Sequence, residues 1–215
     1  MLATKPIVSF DVDGTIAATQ QKWCDLYNKD NGTRHSPADI NQYDMSKVFG
    51  LTWPEAKRYF DLAWNSDNFK DIGLVHPLIP EIMTKVRRNY EVHVTTSTSA
   101  SSDVLRQFLR LRGVSYDRIN HTVHSTDKLD VIKRLKIAAH VDDEPDLIQG
   151  VLEMDRIAFM VDQKWTSSRR EEIRQNGGRF YYGSWPYLLE LLDHGGEVFH
   201  MLRMEKPPLR RRSPI

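Results

Sequence analysis

The 215-residue sequence predicts an α/β fold in which helices are laid on a parallel sheet, and three observations carry that reading. Short, β-rich apolar runs recur, each stopping abruptly in a polar loop. Segments of helical period separate the runs, and the first run ends in two closely spaced carboxylates. Runs of this kind suit strands buried on both faces, and strands alternating with helices imply βαβ units.

In chain order, the first run is Ile7–Phe10, followed by Asp11-Val12-Asp13-Gly14-Thr15. The later runs are Glu91–Thr96, Ala138–Val141 before Asp142, and Arg156–Val161. Between them Pro80 opens one helical segment, Ser102 caps another that ends before Gly113, and a third follows Asp127. Trp185-Pro186 and the apolar residues after them suit a C-terminal helix packed on the sheet. Residues 17–76 break the rhythm. They are polar and helix-like, yet hold nine of the chain's 21 aromatic residues, so an inserted helical module held together by large side chains is expected there.

Composition narrows the function classes. With 40% hydrophobic and 27% charged residues the chain reads as ordinary globular protein. No run approaches the ~20 apolar residues of a bilayer span, and the first residues lack a signal-peptide pattern. A soluble, cytoplasmic protein with no membrane partner is therefore expected. A single cysteine, Cys24, excludes an intrachain disulfide and a cysteine zinc cage. The eight histidines show no His-Glu-x-x-His spacing of a zinc hydrolase. The net charge of +1 hides an asymmetry, because residues 203–215 carry five basic side chains and one acidic. The tail is net +4 and the rest of the chain −3. A Pro-rich basic tail without periodicity is expected to be disordered, and it offers a contact for nucleic acid.

The acidic loop is the most informative stretch. Ligands of a parallel sheet bind at the carboxyl ends of its strands, so Asp11 and Asp13 stand where chemistry is expected, with Gly14 permitting the turn that brings them together. An EF-hand loop lacks its third ligand, its glycine and its preceding helix. The loop alone leaves open a metal-binding Asp-x-Asp of glycosyltransferase type and a solvated turn.

Together with three later motifs, the loop resembles the haloacid dehalogenase (HAD) superfamily. Thr96, with Ser97 beside it, matches the Thr or Ser that ends the next core strand. Lys128 matches a basic residue at a helix start, and Asp142-Asp143 match the paired acids closing the fourth strand, with Asp146 three residues on. The four motifs span residues 5 to about 165. The resemblance implies a Rossmann-like parallel sheet with helices on both faces, formed by residues 1–16 and 77–202, and a small helical cap at 17–76. The helix after the first motif, the Thr-Ser pair and the paired acids look like the 5'(3')-deoxyribonucleotidase branch, although Thr15 stands where that branch often has Val.

Hydrolysis of a phosphate monoester is among the slowest uncatalysed reactions, accelerated by enzymes up to ~10²¹-fold. Covalent catalysis and neutralisation of charge on the phosphoryl oxygens are the routes available. By resemblance, Asp11 is the nucleophile that becomes an aspartyl-phosphate, and Asp13 is the general acid and base. Asp11, the Asp13 backbone carbonyl and Asp142 would hold Mg²⁺, with Asp143 and Asp146 behind them. Thr96, Ser97 and Lys128 would bind phosphate, and Trp23, Tyr43 and Trp64 of the cap would contact substrate. The expected activity is a Mg²⁺-dependent 5'-nucleotidase acting on (deoxy)nucleoside monophosphates. Alternatives are a phosphatase on nucleic-acid ends, one on another small phosphometabolite, and a binding protein without turnover.

Overall fold

The computed structural model describes residues 5–175 and 179–193. The basic tail expected at 203–215 and the turn expected at Asn176-Gly177-Gly178 lie outside the described residues. Six parallel strands form the sheet: β1 (Ile7–Phe10), β2 (Glu91–Thr96), β3 (Arg118–His121), β4 (Ala139–Asp142), β5 (Ile157–Val161) and β6 (Arg179–Gly183), in the order β3-β2-β1-β4-β5-β6. Strand order reverses between β1 and β4, and such a switch point opens a crevice at the carboxyl ends of the two strands.

The inner strands β1, β2, β4 and β5 are buried on both faces because helices cover both. Alternate residues point to opposite sides, so Ile157, Phe159 and Val161 of β5 join one apolar cluster and Ala158 and Met160 join the other. The first cluster includes α4 (Ile79–Asn89) and α5 (Ser102–Leu111), and also Trp185, which opens α9 (Trp185–Asp193) and stacks on Phe10 at 5.7 Å. The second includes α6 (Asp127–Arg134), α7 (Pro145–Glu153) and α8 (Arg170–Gln175). Ser101 rather than Ser102 caps α5, its Oγ accepting the Val104 N–H at 3.3 Å. Pro145 occupies the first turn of α7, where its missing N–H costs nothing.

Central positions of the second face are polar. Ser9, His93 and His140 are cross-strand neighbours in register and all are buried. Two residues further along, on the same face, come Asp11 and Asp142, so a buried polar stripe leads up to the crevice.

The segment between β1 and α4 holds α1 (Thr19–Asn31), α2 (Met45–Phe49) and α3 (Trp53–Ala63), with 3₁₀ turns at Pro37–Asp39 and Phe69–Asp71. Its two ends pair as a short ribbon, Ala18 N–H donating to Gly73 O at 2.9 Å and Val75 N–H to Ile16 O at 3.0 Å. Trp23, Cys24, Ile40, Met45, Ala56 and Tyr59 form an apolar cluster there, seated on Trp165 from beyond β5. Trp64, Phe69 and Ile72 pack instead into the main core. No helix among the described residues is long and apolar enough to cross a membrane.

Candidate active site

The crevice at the ends of β1 and β4 gathers the residues that the motifs single out. Asp11 N–H donates to Val141 O at 2.9 Å, which fixes the first motif beside the fourth. Lys128, in the first turn of α6, reaches across with its Nζ 2.8 Å from Asp11 Oδ1 and 2.9 Å from Asp142 Oδ2. Both pairs are buried. Oxygens of Asp11, Asp142 and Asp143 lie within 4.8 Å of one another. Thr96 ends β2 one strand away, buried, its Oγ1 accepting the Thr98 N–H at 3.2 Å, with Ser97 following half-buried.

Below the cluster the polar stripe acts as a support. His140 Nε2 lies 2.9 Å from Asp142 Oδ2, and His140 Nδ1 lies 2.6 Å from Ser9 Oγ. Burial holds the His140 pKa below its usual value, so the ring is neutral. The neutral ring then donates its Nε2–H to the ionised Asp142, and the Ser9 hydroxyl donates to Nδ1. Asp142 Oδ1 accepts the Glu144 N–H at 2.9 Å. Burial raises the Asp142 pKa, but Lys128 first and His140 second outweigh it and bring it to about 2.

Asp11 and Asp143 behave differently. Burial, opposed by Lys128 and reinforced by Asp142 and Asp13, pushes Asp11 up to about 8. Burial, with Asp142 and Asp11, drives Asp143 well above the carboxylate range. Asp143 receives only neutral donors, Trp165 Nε1 at 3.0 Å and Thr15 Oγ1 at 3.3 Å. Fully ionised, three carboxylates and one lysine would carry a formal charge of −2 in a buried space; the raised pKa values of Asp11 and Asp143 express that cost, which a divalent cation would offset. An all-oxygen donor set suits a hard ion such as Mg²⁺.

Gly14 makes the close approach of the two motifs feasible. Its φ is +72°, and a Cβ there would land on the Asp143 carboxylate and stand 2.8 Å from Gln20 Nε2. The Gly14 carbonyl accepts Gln163 Nε2 at 2.8 Å, and Thr15 O accepts the Trp185 indole N–H at 2.9 Å.

Asp13 lies at the edge of the crevice and is half-buried. Its Oδ1 accepts two hydrogen bonds, from Thr19 Oγ1 at 2.5 Å and Trp64 Nε1 at 2.7 Å. Tyr43 keeps 46% of its surface open while its hydroxyl points inward, 3.3 Å from Glu144 Oε2. Burial of that oxygen, with Glu144, Asp143, Asp142 and Asp11 near it, lifts the phenol well above its usual pKa. Ser125 Oγ donates to the other Glu144 oxygen at 3.1 Å.

Two of the expected residues stand elsewhere. Trp23 has no exposed surface, and its indole N–H donates to Ala56 O at 2.9 Å. It builds the module's core and has no face free for a substrate. Asp146 projects outward with a 79% exposed side chain and pairs with Arg169 at 3.0 Å. Pro145 has already begun α7 there, which turns Asp146 away from the carboxylates. Trp165, Gln163, Thr19, His140 and Glu144 also line or support the site, although no motif points to them. Trp165 and Gln163 sit on the loop after β5, a carboxyl-end loop like the others, and that position was the available signal.

No protein-family model matches the chain. A stretch of 68 residues, 32% of the chain, is 28% identical to UvrABC system protein B of Bacillus velezensis. The chain spans about a tenth of the length of that curated relative. Among solved structures, protein tyrosine kinase A of Mycobacterium tuberculosis superposes with a TM-score of 0.62 at 17% identity, covering 88% of this chain and 98% of that one. A predicted phosphatase from Clostridium acetobutylicum gives 0.60 at 15% identity over 87% and 98%. A HAD-family hydrolase from Deinococcus radiodurans, with bound phosphate and sodium, gives 0.59 at 12% identity over 90% and 96%. The chain has the α/β Rossmann-like HAD fold.

Proposed function

We propose that the protein is a divalent-metal-dependent phosphatase that hydrolyses phosphate monoesters through an aspartyl-phosphate on Asp11. The observation that carries this reading is the buried Lys128, bridging Asp11 and Asp142 at the switch point with Asp143 beside them. A lone lysine under-compensates three carboxylates once they are ionised, and the ionised Asp11 needed for attack would repel a dianionic ester unless a cation stood beside it. Mg²⁺ fits the charge deficit and the oxygen donors, and when bound it supplies neutralisation of the phosphoryl oxygens.

Under this reading an Asp11 oxygen attacks phosphorus while the bond to the leaving oxygen breaks, and Asp13 gives that oxygen its proton. Asp13 then takes a proton from the water that attacks the phosphoryl group, which releases inorganic phosphate and restores Asp11. Lys128 holds the Asp11 carboxylate in line and places a positive charge beside the phosphate. Thr96, Ser97 and the backbone N–H groups of the first motif are assigned to the phosphoryl oxygens. The two acids of the fourth motif exchange the roles the sequence suggested. Asp142 is committed to Lys128, His140 and the Glu144 N–H, so Asp143 is the better carboxylate ligand for the metal, with Asp11 and the Asp13 carbonyl.

Residues 17–76 are taken as the cap over a core of 1–16 and 77–202. For the substrate, we favour (deoxy)nucleoside monophosphates, supported by the half-open Tyr43 ring at the mouth, a platform for a base. Phosphate release from a panel of nucleotides and sugar phosphates, with Mg²⁺ and with EDTA, tests the reading. Turnover of nucleotides that vanishes in Asp11→Asn supports it. Turnover of sugar phosphates alone refutes the nucleotide assignment, and no metal-dependent turnover at all refutes the phosphatase.

A further inference from the structure

We infer that Trp64 is a positioning residue for the Asp13 carboxyl, so that the cap and the proton-transfer group are set as one unit. The inference rests on the phosphatase reading, which makes Asp13 the proton donor.

Both donors to Asp13 belong to the inserted segment. Thr19 opens α1 at its start, and Trp64 follows α3 near its end. Both bonds land on Oδ1, at 2.5 and 2.7 Å, and Oδ2 has no hydrogen-bond partner among the described residues. A half-buried aspartate held by nothing would sample several rotamers, whereas proton transfer needs its oxygen within about 2.6–3.2 Å of the leaving atom. Pinning Oδ1 from both ends of the cap leaves Oδ2 as the oxygen presented to the substrate. Both donors are neutral side chains.

The Trp64 ring is itself fixed. It is 2% exposed and meets Phe108 of α5 edge to face at 5.1 Å. The indole N–H cannot turn away from Asp13 unless the cap's end lifts off the core. Its role also separates from the ring's packing, because phenylalanine keeps most of the ring and removes the donor.

The test compares kcat/KM of wild type and Trp64→Phe on an aryl ester, p-nitrophenyl phosphate, and on alkyl esters, thymidine 5'-monophosphate and glycerol 2-phosphate. This ratio reports the steps up to leaving-group departure. A nitrophenolate leaves without a proton and an alkoxide does not. We expect a loss of about tenfold on the alkyl ester, part of the 10²–10⁴-fold that general acid catalysis supplies, and a change below about twofold on the aryl ester. Thr19→Val, which removes the other donor, should show the same dependence and covers the case in which Trp64→Phe folds poorly. Equal losses on both ester types, or none, overturn the role of Trp64 and leave the phosphatase standing. A wild type active only on the aryl ester also overturns that role, since no proton donor is then at work. A wild type active on neither overturns the phosphatase reading, and this inference with it.

Discussion

Lys128 Nζ lies 2.8 Å from Asp11 Oδ1, with both side chains almost wholly enclosed, and the same nitrogen serves Asp142 at 2.9 Å. Burial alone would drive the lysine toward its neutral form, but Asp11 and Asp142 reverse this and keep it charged. The ammonium is therefore part of the fold as well as of the site.

Replacing Lys128 by Met should cost about 3–5 kcal/mol, the usual penalty for breaking a buried pair by removing one partner. Three buried carboxylates would face one another without it. Urea unfolding in EDTA would measure the loss, and millimolar Mg²⁺ should recover part of it. A variant as stable as wild type in EDTA would mean that the carboxylates protonate at little cost and that the pair is not structural.

Metal binding should raise stability by mass action, about 2.7 kcal/mol at a hundred times the dissociation constant. Asp143→Asn should abolish that rise, and Asp146→Asn, on the surface, should leave it intact. Asp142→Asn is expected to lower stability first, because it releases Lys128 and His140. Thermal melts with and without Mg²⁺ distinguish these cases. A full Mg²⁺ response in Asp143→Asn, with none in Asp142→Asn, would return the ligand role to Asp142.

Gly14→Ala combines two penalties. An L-residue in the left-handed region costs roughly 1–2 kcal/mol, and the new Cβ must displace the Asp143 carboxylate or the strand-end turn itself. Lower stability together with a lost Mg²⁺ response is expected. If only stability fell, Asp143 would have room to adjust and the contact would not be restrictive.

Strands β1, β2, β4 and β5 were legible because nearly all of their residues are buried, so they read as short β-rich runs even though Ser9, His93 and His140 interrupt their apolar character. The edge strands β3 and β6 were not. Arg118–His121 and Arg179–Gly183 are half-exposed, and their mixed composition carries neither a run nor an alternation. Site residues followed the same logic. Asp11, Asp142 and Lys128 stand at strand ends and a helix start, the places where the four motifs in order point to a ligand. Trp64 and Trp165 reach the carboxylates through indole N–H groups from segments distant in sequence. An aromatic residue reads as core whether or not its N–H has a task, and both are buried as core residues are. Asp146 misled because proximity in sequence ceases to mean proximity in space once Pro145 starts a helix.

Asp117 offers a test of how the edge strand is held, remote from the carboxylate cluster. Its Oδ1 accepts Arg87 Nε at 3.1 Å and Nη2 at 2.5 Å, and its Oδ2 accepts the Val92 N–H at 2.8 Å. The carboxylate thereby ties the end of α4 and the start of β2 to the residue just before β3. Burial raises its pKa, but the Arg87 bonds, then the Val92 N–H, outweigh this and hold it below the usual carboxylate range. A folded pKa below the unfolded value of ~3.9 means that ionisation stabilises the fold in full above about pH 5, and that this contribution fades as pH falls through the folded value. The side chain is 30% exposed, so Asp117→Asn should cost about 1 kcal/mol at pH 7 rather than the full worth of a buried charged bond. Urea midpoints of wild type and variant should differ at pH 7 and pH 5, and the gap should narrow as pH falls through the folded pKa of Asp117. A gap of constant size down to the acid limit of folding would assign the effect to lost hydrogen-bond geometry rather than to the carboxylate's charge.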